Sequence, residues 1–148
     1  MIFADDAIPS LDQVLQSVLA GENACVYAYG LIGALSTGSA RTRARVGLAE
    51  HSAARDRIRR VLIDRKQVPA PAAAAYNPPF PVTDAQSASH LAAVIEDRLA
   101  LVLADLVGAA KANNNAGALK YAVAAIEACA VRSTNWSGTV QAFPGLLS

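Results

Sequence analysis

Four glutamates, Glu22, Glu50, Glu96 and Glu127, are the residues of this chain whose types and spacing could support chemistry. Each lies near the middle of a stretch with helical periodicity. A carboxylate inside a helix bundle is costly unless a metal ion or a basic side chain neutralises it. Converging carboxylates form an oxygen ligand set that hard divalent cations accept. The chemistry therefore depends on whether the helices bring these side chains together.

The helix around Glu22 shows the clearest pattern. Its packing residues recur at alternating steps of four and three positions, which places them on one helix face. Comparable faces contain the other three glutamates, although the face of Glu50, with Gly47 and Ala54, is the least regular. The face of the first helix comprises Leu11, Leu15, Val18, Glu22, Cys25 and Tyr29.

The composition predicts an all-α chain with a single domain over residues 1–148. Alanine, the best helix former, occupies 33 positions, whereas aromatic residues make up only 5%. The net charge of +1 gives the whole protein no strong electrostatic field. Cys25 and Cys129 lack the spacing of a metal site and are predicted to be small core residues.

The chain is predicted to be soluble and cytoplasmic, with no membrane partner. It begins with an acidic segment that contains no apolar run of signal-peptide length. No stretch is expected to approach the roughly 20 apolar residues that a membrane span needs.

Capping signals and proline positions predict four helices at about 11–36, 40–66, 84–112 and 116–136. Ser10 with Gln13, and Thr83 with Gln86, have the spacing of capping boxes, and the asparagines at 113–115 supply a turn and an N-cap. The segment 67–83 holds five prolines and is predicted to be an extended crossover. The tail from Gly138 is predicted to be irregular or packed over one end.

Connection lengths predict the topology. The first and third links are only a few residues long, which predicts two antiparallel helix hairpins. The crossover can reach about 50 Å, whereas a helix of about 27 residues is about 40 Å long. The second and third helices can therefore run in the same direction. In such hairpins Glu22 lies nearly level with Glu50, and Glu96 with Glu127, so all four carboxylates could meet in one layer.

With these features the chain resembles ferritin-like carboxylate bundles. More narrowly, it resembles the alanine-rich, uncharacterised ferritin-like proteins of actinobacteria. In di-iron members of this superfamily, two helices carry one Glu each and two carry Glu-x-x-His. The resemblance assigns Glu22 and Glu96 to the single-Glu positions, and Glu50 and Glu127 to the two motifs. The histidine positions of those motifs are Ala53 and Ala130 here, so both imidazoles are missing.

Three interpretations of the glutamates remain open. They could bind iron or manganese with oxygen ligands only. They could be a metal-free remnant whose charges are neutralised by shared protons or by Arg57 and Arg98. They could also be ordinary solvated residues. His51 follows Glu50 directly, but one residue turns a helix by about 100°, so His51 is expected to point elsewhere.

The preferred interpretation is a non-enzymatic bundle, with no cofactor, that acts through binding or homo-oligomeric assembly; the alternative is an iron or manganese metalloprotein of oxidoreductase or storage type. A small-molecule ligand is not identified. Nine basic residues between Arg41 and Lys66 form a charged run. Nucleic-acid binding is not expected, because the run lacks interleaved aromatic residues and a reading helix.

Overall fold

The computed structural model of the chain describes residues 8–138, which fold into four helices and no strand. The all-α prediction is confirmed. The helices are α1 (Leu11–Leu35), α2 (Gly38–Asp64), α3 (Ala85–Ala112) and α4 (Ala116–Ser137). Each observed helix end lies within about two residues of its predicted position, and the predicted tail after Gly138 lies outside the described residues.

Local side-chain hydrogen bonds begin three of the helices. Ser10 and Gln13 form the predicted reciprocal capping box of α1, and Asn115 caps α4 by accepting from the backbone N–H of Ala118. The capping box of α3 was predicted one residue too early. Asp84 is its N-cap, and it exchanges hydrogen bonds with Ser87. Asp84 can occupy this position because its short carboxylate accepts from the free N–H groups of the first turn.

The helices pack as two hairpins joined through α1 and α3. Extensive contacts link α1 with α2, α3 with α4, and α1 with α3. Asp12 pairs with Arg65 near one end of α1 and α2, and Tyr29 lies beside Gly47 near the other, so these helices are antiparallel. Tyr29 bonds Glu96 and Gly21 lies beside Leu99, so α1 and α3 are antiparallel too. The long connection, residues 65–84, therefore joins two helices of the same direction.

The core consists of two apolar clusters with a polar layer between them. One cluster is aliphatic and lies towards the start of α1, where Leu11, Leu15 and Leu19 meet residues such as Leu103. The other lies towards the end of α1 and contains Tyr29, Ile32 and Trp136. Three buried ionisable side chains of this layer lie near the middle of their helices: Glu22, His51 and Glu96, at 2%, 1% and 0% exposure.

Helix α1 is more apolar than its sequence pattern predicted. Among the described residues it is the one helix long and apolar enough to cross a membrane, so the expectation that no segment approaches a span was wrong. The core helix of a soluble protein has the same composition when its neighbours cover it. Eleven residues of α1, including Glu22, are buried.

Candidate functional site

His51 of α2 bridges two buried carboxylates at the centre of the helix bundle. Its Nδ1 lies 2.7 Å from Oε2 of Glu22, and its Nε2 lies 2.9 Å from Oε1 of Glu96. Both ring nitrogens therefore face carboxylate oxygens, which accept hydrogen bonds when ionised. This arrangement fits an imidazolium that donates to a glutamate on each side.

Glu96 is the most connected residue of the site. Its Oε1 also accepts hydrogen bonds from the Tyr29 hydroxyl at 2.6 Å and from Nε of Arg132 at 2.8 Å. The indole Nε1 of Trp136 donates to the Tyr29 hydroxyl at 3.1 Å, which fixes the phenol. Three donors on one oxygen are typical of an ionised carboxylate. We call Glu22, His51, Glu96, Tyr29 and Arg132 the buried network.

The charges of the buried network balance. Burial alone would lower the pKa of His51, but its hydrogen bonds to Glu22 and Glu96 outweigh burial and raise this pKa to about 9. Burial alone would raise the pKa of Glu96, but His51 and Arg132 hold it below the usual glutamate value. At neutral pH an imidazolium and a guanidinium thus oppose two carboxylates, and such pairing makes buried charges tolerable.

The four predicted glutamates divide into two inner and two outer residues. Glu22 and Glu96 point into the core, as their helix faces predicted. Glu50 has a side chain that is 51% exposed and bonds Nη1 of Arg132 at 2.9 Å. Glu127 is exposed as well, and both outer glutamates line a groove of about 420 Å³ between α2 and α4. The structure does not bring the four carboxylates into one site.

The prediction that His51 points away from the site was wrong, and the reason is helix phase. The buried residues of α2 are Ala44, Gly47, His51, Ile58 and Leu62, which recur around His51 rather than Glu50. The prediction placed Glu50 on the inner face, so its orientation of α2 about the helix axis differs from the observed one by about 100°. The heptad spacing of Ala44 and Ile58 about His51 is the sequence signal that identifies the inner position.

The predicted charge partners of the glutamates, Arg57 and Arg98, were also wrong. The guanidinium of Arg57 lies over the Tyr121 ring, 4.9 Å from its centroid, and Arg98 is exposed and forms no ion pair within the described residues. Arg132 takes this role because the buried face of α4 runs through Cys129 and Trp136. Arg132 lies three residues after the first and four before the second, so it shares that face.

The buried network does not fit a metal centre of the carboxylate type. No group of three or more His, Cys, Asp or Glu side chains within residues 8–138 is arranged to hold a metal ion. A histidine ligand offers an unprotonated nitrogen, whereas both nitrogens of His51 face carboxylates. The guanidinium of Arg132 adds a positive charge beside Glu96, which repels a cation. Glu96 Oε2 and the Tyr121 hydroxyl are buried and have no protein hydrogen-bond partner in the described part of the chain.

Cys25 and Cys129 lie in the core beside the buried network and are free thiols. Burial, reinforced by nearby Glu22 and Glu96, raises the pKa of Cys25 well above the usual thiol value. Burial likewise raises the pKa of Cys129. Both residues are therefore protonated at neutral pH, and a protonated buried thiol is a poor nucleophile. Their position agrees with the predicted role as small core residues.

The raised pKa of His51 predicts a stability that falls with alkali. An unfolded histidine has a pKa of about 6.5, so the folded state binds its proton more tightly. The contribution, about 3 kcal/mol, is fully present below pH 6.5 and is lost as the pH rises to about 9. Urea denaturation at intervals between pH 6 and 9 measures this loss.

His51→Gln is the control for the alkaline loss of stability, because glutamine does not titrate. Its free energy of unfolding should fall by less than that of the wild type between pH 6.5 and 9, although its absolute value at pH 6.5 is lower. Thiols of the unfolded chain, with a pKa of about 8.5, titrate within this range, but Cys25 and Cys129 contribute equally in both proteins. Equal slopes for the wild type and His51→Gln would contradict a charged His51.

Gly47 makes room for the Tyr29 ring of the buried network. A Cβ at this position would lie 2.5 Å from Cε1 of Tyr29, whose side chain is 1% exposed and cannot retreat. Gly47→Ala is expected to destabilise the fold by about 1–3 kcal/mol through overpacking. Gly30→Ala, where no atom lies within 4 Å of the new Cβ, should instead stabilise it by about 0.5–1 kcal/mol. Chemical denaturation compares them, and equal stabilities would contradict this packing.

Comparison with known proteins relates the chain to a solved structure and to a family. The fold resembles the crystal structure of a conserved hypothetical protein, rv2844, from Mycobacterium tuberculosis, with a TM-score of 0.80 and 29% identity. The match covers 86% of this chain and 96% of that chain. No curated protein matches the sequence. Residues 14–148 match the family described as a domain of unknown function, DUF4439, and the chain therefore belongs to that family.

Proposed function

We propose that this protein is a ferritin-like bundle in which His51 and Arg132 replace a metal centre, and that it acts by binding rather than by catalysis. The observation that carries the proposal is the position of His51, whose two ring nitrogens contact Glu22 and Glu96. An imidazolium there supplies the positive charge that a metal ion supplies in carboxylate bundles. Both carboxylates are held in ion pairs, and the lowered pKa of Glu96 makes it a weak general base.

The ferritin-like part of the proposal is supported by helix direction and by register. α2 and α3 run in the same direction and are joined by a long connection, which is the arrangement of a bundle with one crossover. Glu22 and Glu96 stand at the two positions that the resemblance assigns to single glutamates. In the bundles that the chain resembles, metal sites are built in the bundle core, and the polar layer between the two apolar clusters lies in the core as well.

Assembly of identical subunits is the second part of the proposal. Val46 and Val131 are 52% and 60% exposed and line the groove between α2 and α4. Exposed apolar side chains around a groove favour association. We infer a soluble, cytoplasmic homo-oligomer without nucleic-acid binding. Several arginines of the basic run have partners within the chain, such as Arg43 over the Trp136 ring and Arg55 with Asp56.

The metal-free proposal predicts the metal content of the purified protein. Protein prepared without chelators or a metal-affinity tag should contain iron and manganese only at trace levels by elemental analysis. Its melting temperature should be the same with Fe²⁺, Mn²⁺ or EDTA, because a ligand stabilises only the state that binds it. The melting temperature of Glu50→Gln, which changes a partly exposed carboxylate, should likewise be the same with Fe²⁺, Mn²⁺ or EDTA.

Stoichiometric iron or manganese would favour the alternative, an oxidoreductase-like or storage-like metalloprotein. So would a melting temperature that rises with metal and falls back with EDTA. Either result would require His51 to lose a proton and Arg132 to leave Glu96.

A further inference from the structure

We propose that the pocket between α1, α3 and the crossover binds a small apolar molecule that carries one carboxylate group. The pocket has a volume of about 270 Å³. This volume is slightly below the usual size of pockets for drug-sized ligands, which suits a small one. The inference specifies the binding role proposed above and rests on it.

The floor of this pocket is apolar and rigid. Leu91, Leu99 and Cys25 line it and are 1–2% exposed, so they belong to the packed core. Ala24 and Ala28 contribute only methyl groups from α1, which leaves space that a larger residue would fill. Such a surface favours the apolar part of a ligand.

The crossover closes one side of the pocket. Residues 76–79 line it, and the Tyr76 ring lies 5.5 Å from the ring of Tyr27 on α1. The backbone N–H of Ala73 donates to the Tyr76 hydroxyl at 3.2 Å, which fixes the Tyr76 side chain within the crossover. Two bonds between Gln16 and the crossover, at Val68 and Ala70, anchor its beginning to α1.

Arg98 determines the charge of the proposed ligand. It is exposed at the pocket, and no carboxylate of the described residues forms an ion pair with it. A guanidinium beside an apolar cavity matches a carboxylate, because its planar donors can bind both oxygens. A molecule with an apolar body and an anionic end satisfies the floor and Arg98 together.

Titration with octanoate, monitored by the backbone amide resonances of the full chain, tests this site. Octanoate should shift resonances of the lining residues in a saturable way and should bind about five- to tenfold more tightly than octylammonium. Arg98→Gln should remove this preference, because glutamine carries no charge. Ala24→Leu should abolish binding, whereas Ala20→Leu, one turn earlier and exposed, should leave it unchanged.

Three results would overturn the proposal: no shifts at the lining residues, equal affinity for octanoate and octylammonium, or unchanged binding by Ala24→Leu. Shifts that depend on protein concentration alone would assign the pocket to a second copy of the chain and would also overturn it. If Ala24→Leu does not fold, Arg98→Gln decides. The metal-free proposal is tested by the metal content of the protein, which does not depend on octanoate binding. A failure of the ligand proposal is therefore distinguishable from a failure of the metal-free proposal.

Discussion

Replacing His51 with alanine is expected to destabilise the fold by about 3–5 kcal/mol. The substitution removes the cation between Glu22 and Glu96, which are 2% and 0% exposed. It leaves two buried carboxylates, of which Glu22 loses the partner bonded at 2.7 Å. It also leaves a cavity where the imidazole stacked on the Tyr29 ring, at a centroid distance of 5.3 Å. Denaturation in urea at pH 7 measures the loss.

His90→Ala is the matched control for His51→Ala. His90 is exposed on α3, where its ring contacts Phe80 at a centroid distance of 4.6 Å. The substitution His90→Ala should lower the free energy of unfolding by less than about 1 kcal/mol. A second test uses Glu22→Gln in the His51→Ala background, where it should be neutral or stabilising because it removes an unpaired buried charge. A cost of His51→Ala no larger than that of His90→Ala would contradict the central role of His51.

Replacing Glu96 with glutamine is expected to destabilise the fold by about 2–4 kcal/mol, despite the nearly identical shape. Oε1 of Glu96 accepts from His51, Tyr29 and Arg132, so removal of its charge weakens three hydrogen bonds at once. The buried imidazolium of His51 and the partly buried guanidinium of Arg132 also lose their common counterion. The pKa of His51 should fall in this variant, because its bonds to carboxylates are what raise it.

The other glutamates provide a graded set of controls for Glu96→Gln. Glu22→Gln should cost about 1 kcal/mol, because the amide oxygen still accepts from His51 and Glu96 still neutralises it. Glu127→Gln, at an exposed position, should change the free energy of unfolding by less than about 0.5 kcal/mol. Thermal or urea denaturation ranks the variants, and equal costs for all three would contradict the division into inner and outer glutamates.

The sequence predicts the helices well because their signals are local. Each signal sets the backbone conformation of its immediate neighbours in the chain, as do Ser10 with Gln13, the prolines of the crossover and the asparagines at 113–115. Such hydrogen bonds and backbone restrictions do not depend on the rest of the fold. The single capping error, at Asp84, arose because Thr83 and Asp84 are both good N-cap residues and compete for adjacent positions.

The candidate site is predicted only where the helix face is unambiguous. The faces of Glu22 and Glu96 are flanked by large aliphatic residues, and both side chains are buried as predicted. α2 is charged on most sides and α4 is rich in alanine, so neither pattern fixes its rotation strongly. On α2, a helix-phase error of one residue led to Glu50 being predicted as the inner residue instead of His51. The same kind of error on α4 selected Glu127 and missed Arg132.

Ring-nitrogen NMR of His51 tests most directly whether this residue is the cation of the buried network. With histidine labelled by ¹⁵N, and His51→Gln used to assign its signals, both ring nitrogens should be protonated at pH 7.5. The signals should keep the shifts of an imidazolium until the pH approaches its pKa of about 9. A neutral ring at pH 7.5, with one nitrogen unprotonated and free to bind a metal ion, would contradict the proposed replacement of the metal centre by His51.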